Sequence, residues 1–341
     1  MKKGPVVVFG GAGFIGANLA HRLLTSGEPV RIFDNLSRPG VERNLEWLRD
    51  LHDGRFELRI GDVRDSEAVE GAVTNATAVY HFAAQVAVTT SLSNPVHDFS
   101  VNARGTLNIL EAVRKSRDAV PLVFTSTNKV YGAVAHAPLY EGPKRYEPID
   151  RDLFSTGFSE STPLQFCSPY GCSKGAADQY VIDYAKSFGL RALVLRMSCI
   201  YGPRQFGNED QGWVAHFVKR SLTCEPIAIY GNGKQVRDLL FIDDLVDALL
   251  LSREHVDRLA GQPFNLGGGI ANSVSLLELV DLLEELSGER TDLVFSEERV
   301  GDQRYYVSDT RRFASQTGWS PKTSVREGLR ELHLWLSLPY E

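Results

Sequence analysis

With 341 residues, 43% of them hydrophobic and 23% charged, the chain can bury a sizeable core, and its composition is that of a globular protein, not a disordered or fibrous one. A formal charge of -6 argues against nucleic acid or an acidic membrane surface as main partner, so a small molecule is expected. Four cysteines without CxxC spacing exclude a disulfide scaffold and suit reduced thiols in the cytoplasm, and no stretch reaches the roughly 20 apolar residues of a membrane span.

The opening MKKGPVVVFGGAGFIG sets two lysines before an apolar run, but glycines interrupt it and no small-residue cleavage site follows. Residues 6–9 therefore read as a first buried strand. Further short β-branched runs follow at 30–34, 56–60, 78–82, 121–126 and 192–197, and the segments between them, such as 101–116, carry apolar residues at helical spacing. This alternation predicts an α/β fold with a doubly wound parallel sheet covered on both faces. After residue 198 the rhythm loosens through YGPRQFGN and YGNGKQ, which predicts a smaller mixed α/β lobe, while 237–252 reads as a return to the first unit. The expected division is 1–198 with 234–266 for the larger domain and 199–233 with 267–341 for the smaller.

Directly after the first strand, Gly11-x-Gly13-x-x-Gly16 overlaps Gly10-x-x-Gly13-x-x-Gly16. Glycines let the backbone approach a pyrophosphate, whose charge meets the free amides and positive end of the next helix. Alone, the pattern fits a plain tight turn; between a strand and a helix it predicts a dinucleotide site. Asp34 ends the second strand about 20 residues on, where a carboxylate accepts from ribose hydroxyls and repels a 2′-phosphate, favouring NAD over NADP. Arg38 lies close enough to weaken that preference, and an N-cap is the other reading of Asp34. Asp62 and Val63, after the third strand, fit either an adenine contact or a turn before a helix.

In SPYGCSKGAADQY (168–180), Ser168-Pro169 predicts an N-cap and first helical position, which places Tyr170 in the opening turn with Lys174 on the same face. A phenol titrates near pH 10, so work as a base at neutrality requires roughly 3 units of depression, on the order of 4 kcal/mol. A neighbouring ammonium, helped by the helix terminus and an oxidised nicotinamide, has the right sign to supply it. A second Tyr-x-x-x-Lys, Tyr140 to Lys144, is interrupted by Gly142-Pro143 and cannot be a regular helical pair. The first pair follows a strand ending at Ser126 and Thr127, whose hydroxyls should lie at the carboxyl edge of the sheet, where open α/β sheets bind ligands.

In this order the glycine loop, Asp34, the Ser/Thr strand end and Tyr170-x-x-x-Lys174 resemble the extended short-chain dehydrogenase/reductase family over essentially the full length. The resemblance implies a Rossmann-type NAD domain with a nucleotide-sugar lobe. It carries Thr127, Tyr170 and Lys174 over as catalytic residues. For NAD it nominates Gly10, Gly13, Phe14, Ile15 and Gly16; Asp34, Asn35, Ser37 and Arg38; Asp62 and Val63; Phe82, Ala83, Ala84 and Gln85; Asn102 and Ser126; and Tyr170 and Lys174 again. Thr89, Ser126, Thr127, Asn128, Gln211, Arg237, Arg299, Asp302 and Arg304 are its candidates for the substrate, arginine being suited to phosphate.

Longer strings, among them DNLSRPGVERNLEWLR (34–49), STNKVYG (126–132), DQGWV (210–214) and GNGKQVRD (231–238), are similar to those of the CDP-paratose (CDP-tyvelose) 2-epimerase group. That resemblance implies inversion at C2 of a nucleotide-linked deoxyhexose: tightly held NAD removes hydride, leaves a 2-keto sugar and returns hydride to its other face. Where many relatives have Asn in NxYGP, this chain has Cys199. A 4,6-dehydratase is disfavoured because Asn128-Lys129 stand where such relatives carry Asp-Glu. A 4-epimerase shares the same residues and is the main alternative, and a redox-silent NAD-binding regulator is a further one. The eight histidines show no HxxxH or HExxH arrangement, so no metal is expected, and His81 reads as a strand-end packing residue. Relatives are commonly homo-oligomers; residues 106–113 suit pairing across a two-fold or packing on the sheet.

Overall fold

The computed structural model describes residues 4–116, 119–135, 137–299 and 301–338, so the first three residues of the signal-like run lie outside the described residues. Seven strands form the main sheet, in the order Pro263–Leu266, Ala192–Met197, Leu122–Thr127, Ala78–His81, Val6–Phe9, Val30–Asp34, Glu57–Ile60. Every neighbouring pair is parallel. Val6–Phe9 is buried along its whole length, as a strand must be when helices cover both faces. Successive strands are added first to one side of Val6–Phe9 and then to the other, and this reversal opens a crevice at their carboxyl ends. Four expected limits shift by one residue: Glu57–Ile60 begins after Phe56, Ala78–His81 stops short of Phe82, and Leu122–Thr127 begins after Pro121 and carries Thr127 within the strand.

The helix expected over 101–116 starts as a π turn, Ser100–Arg104, and continues as an α-helix, Gly105–Lys115. Its Ile109, Leu110, Ala112 and Val113 are buried in the core on one face of the sheet, so packing accounts for the apolar residues of 106–113. The helix after Ser168 runs Pro169–Phe188. Ser168 accepts from the Gly171 amide, Pro169 stands at the first position, and Gly189 closes the helix in the left-handed region. Tyr140 lies in a hairpin, Leu139–Glu141 with Tyr146–Pro148, whose turn carries Lys144, so these two residues form no helical pair.

A second sheet has Val236–Phe241 at its centre, parallel to Cys199–Tyr201 and Tyr305–Tyr306 and antiparallel to Ser273–Ser275. The return to the main unit expected over 237–252 is made only by the helix that follows, Ile242–Glu254, because 237–241 is paired into the second sheet: Arg22 bonds to Asp247 at 2.9 Å, Arg253 grips Glu28, and Tyr80 donates to the Leu249 carbonyl. Helices Leu276–Ser287 and Val325–Ser337 each begin with a capping box, Ser275 with Glu278 and Ser324 with Glu327. Among the described residues, no helix is long and apolar enough to cross a membrane.

Candidate active site

Gly10 has φ of 77° in the turn that leads from the first strand to the helix Phe14–Thr25. A Cβ there would meet the Ala83 amide nitrogen at 2.7 Å, and one on Gly16 would lie 2.3 Å from the Gly10 carbonyl. Both glycines therefore permit close backbone packing. Gly13, the helix N-cap, differs: its added Cβ would meet Gly10 O at 3.3 Å and no other atom within 4 Å, so the space beside it is open. This is a cradle where an anion can approach backbone amides at a helix start. Phe14 and Ile15 open that helix, partly buried against the core.

Asp34 stands beside the cradle. One carboxylate oxygen accepts from the Ala12 amide at 3.0 Å and the other from the Leu36 amide at 2.9 Å. Burial raises its pKa, while those amides and the Arg38 guanidinium pull it back. The next helix, Val41–His52, is capped by Gly40, so Asp34 is not its N-cap. Asn35 donates to Asp62 at 3.1 Å and accepts from the Ser37 amide, joining the loops after the second and third strands. Asp62 is further gripped by Arg64, which holds its carboxyl well below the usual range, and Asp65 caps the helix Ser66–Val73. Val63 is buried, and its carbonyl accepts from Asn108.

Across the switch point, the Phe82 and Ala83 amides both bond to the Phe9 carbonyl, which brings Phe82 to Gln85 alongside the glycine turn. Asn102, in the π turn, fixes this loop from behind: its side-chain oxygen accepts from the Gln85 amide at 2.9 Å and its amide donates to Gln85 O at 3.0 Å. A π turn displaces one residue from regular helical register, and here it carries the residue that clamps the loop. Ser126 is 2% exposed, and its hydroxyl has no hydrogen-bond partner in the structure. An open glycine cradle, a carboxylate at the second strand end and this orphan hydroxyl fit a dinucleotide.

Tyr170 and Lys174 are both buried, and they stand over the end of the strand Leu122–Thr127. The Lys174 ammonium donates to the Thr125 carbonyl at 2.7 Å and lies 4.3 Å from the centre of the Phe124 ring. Burial pushes its pKa down to about 7, opposed by Asp178 and Asp98. The Tyr170 phenol departs from the expectation drawn from spacing: its pKa is not depressed but pushed up to about 12. Burial is the main cause; the Thr127 hydroxyl and Arg38 pull it down, and Asp98 pushes it up. With Lys174 turned to the strand-end carbonyl, desolvation outweighs what attraction the phenolate receives.

On the other wall, Arg237 is 6% exposed and donates to Asp302 at 2.7 Å. Lys129 shares the same carboxylate oxygen at 3.2 Å. Asn128, buried beside Thr127, donates to Gln303 at 3.2 Å, and Gln303 in turn donates to the Gly132 carbonyl. The structure does not join Arg299 to Asp302. Arg299 instead pairs with Asp210 at 3.3 Å and covers the Tyr230 ring at 3.9 Å, next to Gln211. Arg304 is exposed and pairs with Glu298 at 3.5 Å, outside this cluster. Thr89 is exposed on the short helix Val88–Ser93. Cys199 takes a contact from the Trp213 indole at 3.5 Å.

Sequence reasoning missed three groups here. Lys129 was noticed only for not being acidic, although its place two residues beyond Thr127 was a usable signal. Gln303, fully buried, orders the Asn128 turn from far along the chain. Asp98, also fully buried, accepts from Ser173 and from Asn102 and faces Lys174, with no motif to announce it. His81 is buried and bonds Thr106 at 2.9 Å, a packing role. Among the described residues, no group of three or more His, Cys, Asp or Glu side chains is placed to hold a metal.

Residues 6–267 match the model of the NAD dependent epimerase/dehydratase family. The chain belongs to that family. Its cofactor is NAD, in agreement with the glycine cradle and Asp34. The chain is 43% identical over 339 residues to the CDP-paratose 2-epimerase of Salmonella typhi, covering 97% of this chain and 99% of the relative. Among solved structures it is similar to a UDP-glucose 4-epimerase of Thermotoga maritima with UDP-glucose (TM-score 0.82, 31% identity, 97% and 98% coverage). It is also similar to a UDP-glucuronic acid 4-epimerase of Bacillus cereus with UDP-glucuronic acid and NAD (TM-score 0.84, 26% identity, 98% and 100% coverage).

Proposed function

We propose that this protein is an NAD-dependent epimerase that inverts C2 of a CDP-linked deoxyhexose of the paratose/tyvelose type. The 43% identity over nearly the whole chain to a CDP-paratose 2-epimerase carries the choice of carbon and nucleotide. The site supplies the chemistry. NAD, which the glycine cradle, Asp34 and Ser126 would hold, would supply the hydride acceptor and donor. Tyr170 Oη takes the proton from the C2 hydroxyl as that carbon is oxidised and returns it to the 2-keto oxygen when the opposite face is reduced, so no net electrons or protons are consumed.

Thr127 hydrogen-bonds the reacting oxygen and orients it toward the phenol. Lys174, anchored on Thr125 O, provides the ammonium that meets the phenolate. Arg237 and Arg299 hold the diphosphate while the keto sugar turns, so binding energy distant from C2 keeps the intermediate in place. In this reading the glycine-cradle end of the main sheet binds NAD, while the nucleotide sugar lies between the Thr127–Tyr170 edge of that sheet and the second sheet, which carries Arg237 although 234–266 was expected to belong with the larger domain. Asn128-Lys129, in place of an acid pair, leaves elimination without the carboxyl acid–base pair there. The same proposal extends to a cytoplasmic homo-oligomer, supported by exposed Leu92, Val96, Phe99 and Tyr180 on mutually packed helices.

A 4-epimerase is favoured by one observation, the similarity at 31% identity to a UDP-glucose 4-epimerase over 97% of the chain. Proton NMR of the enzyme with CDP-paratose and with CDP-, UDP- and GDP-glucose separates the two. The expected result is a manno-type H1–H2 coupling at C2; a galacto-type product overturns the 2-epimerase reading.

A further inference from the structure

Lys129 is borne on the same tight turn as Thr127. Residues Asn128–Tyr131 form a 3-10 turn whose first amides are tied down, Lys129 N bonding to the Thr127 hydroxyl at 3.2 Å. Its ammonium reaches Asp302 at 3.2 Å, on the carboxylate oxygen that also receives Arg237 at 2.7 Å. Two cations thus share one anion. The three side chains are only 24%, 7% and 25% exposed for Lys129, Arg237 and Asp302.

The balance in this cluster is one unneutralised positive charge with little water around it. Burial lowers the Lys129 pKa, Asp302 raises it, and Arg237 lowers it again. Burial alone would raise the Asp302 carboxyl, yet Arg237 and Lys129 together hold it well below the usual range. A partly buried cation excess of this kind is stabilised by an incoming anion, and the Asp302 bridge holds both donors ready for one. Cys199 lies within the same field, its thiol pushed up by burial and pulled down by Arg237 and Lys129. It offers the anion no strong donor.

Resting on the 2-epimerase reading, we propose that Lys129 binds the sugar-linked phosphate of the substrate and thereby sets which ring carbon stands at Thr127 and Tyr170. The chemistry of the substrate makes the position informative. The phosphate is carried on C1, next to C2, whereas C4 lies across the ring. Reaction at C2 therefore needs a phosphate-binding cation close to the residues that hold the reacting hydroxyl. Lys129 is the cation of this cluster that shares a turn with Thr127, while Arg237 and Arg299 approach from the second lobe.

The test uses NAD-loaded Lys129→Met and Lys129→Arg, titrated calorimetrically with CDP and CMP, and with UDP and UMP in parallel. CMP and UMP lack the phosphate that joins the sugar. In Lys129→Met the diphosphate should bind about tenfold or more weakly than in the parent while the monophosphate is unchanged, and Lys129→Arg should recover most of the loss. The KM for the nucleotide sugar should rise with it. Equal losses for both nucleotides, or no loss for either, overturn the phosphate contact. Failure of the parent to invert C2 of any of the offered sugars overturns the 2-epimerase reading and with it the register role, while the diphosphate-to-monophosphate contrast still decides whether Lys129 holds phosphate.

Discussion

On the cofactor side of the crevice, the cradle and the proton-handling pair come from short strings: Gly10 to Gly16, Asp34, and Tyr170 with Lys174 one helical turn apart. On the substrate side, the main charge cluster joins Lys129, Arg237 and Asp302, separated by up to 173 residues. The first wall works through backbone shape and helical register, which a local string determines. The second works through a balance of charges that exists only after the second sheet has placed Val236–Phe241 beside Tyr305–Tyr306. Two walls of one crevice thus differ in what a mutation should do to them: local strings fail by losing a step, and the assembled cluster fails by losing affinity.

The sharpest way to break this comparison is at Tyr170. Tyr170→Phe removes the proton-carrying oxygen while keeping the buried ring, so turnover should fall about 10³-fold with NAD still bound. NMR turnover and the NAD content of the purified variant check it. Activity within tenfold of the parent would show that proton transfer belongs to another group and that the helix string was misread.

A second effect separates burial from pairing at Lys174. Its folded-state pKa of about 7 lies below the ordinary 10.5, so between those values the unfolded chain binds more protons than the folded one. Stability must therefore rise with pH across that window. NAD-depleted protein should gain about 2 kcal/mol between pH 7 and pH 9 relative to Lys174→Met, in urea unfolding at both values. Parallel pH dependence in the two proteins would mean that Asp98 and Asp178 keep the ammonium fully charged.

The same contrast explains how much was legible beforehand. Six of the seven sheet strands were visible because parallel strands buried on both faces read as short apolar runs. The edge strand Pro263–Leu266 was not, since PFNL has no β-branched residue and is too short for its alternation to stand out. Ser168, Pro169 and Tyr170 fell where their capping chemistry put them. The direction of the Tyr170 shift did not, because desolvation depends on what the fold packs around a phenol and not on its neighbour four residues away. Arg299 and Asp302 were both nominated for the substrate, yet their side chains part, one pairing with Asp210 and the other with Arg237. Asp98 had no signal at all, since a buried carboxylate is defined by partners such as Ser173, distant in sequence.

The smallest expected difference lies within the substrate wall itself, between two arginines nominated together. Arg237 is nearly buried and fixed on Asp302, so its planar donors are already oriented toward an anion. Arg304 has a 59% exposed side chain and a 3.5 Å contact to Glu298, the kind of surface pair that contributes little. Arg237→Met should raise the nucleotide-sugar KM about tenfold, as loss of one charge-assisted contact implies, and Arg304→Met by less than about threefold. Steady-state kinetics with both variants checks this. Equal effects would move the edge of the site outward, into the cavity of about 170 Å³ that Arg304 lines with Tyr146, Asn232 and Gln235. The buried, unpartnered side-chain oxygen of Gln235 would then be the next group to test, because an unsatisfied acceptor there would have a ligand to receive from.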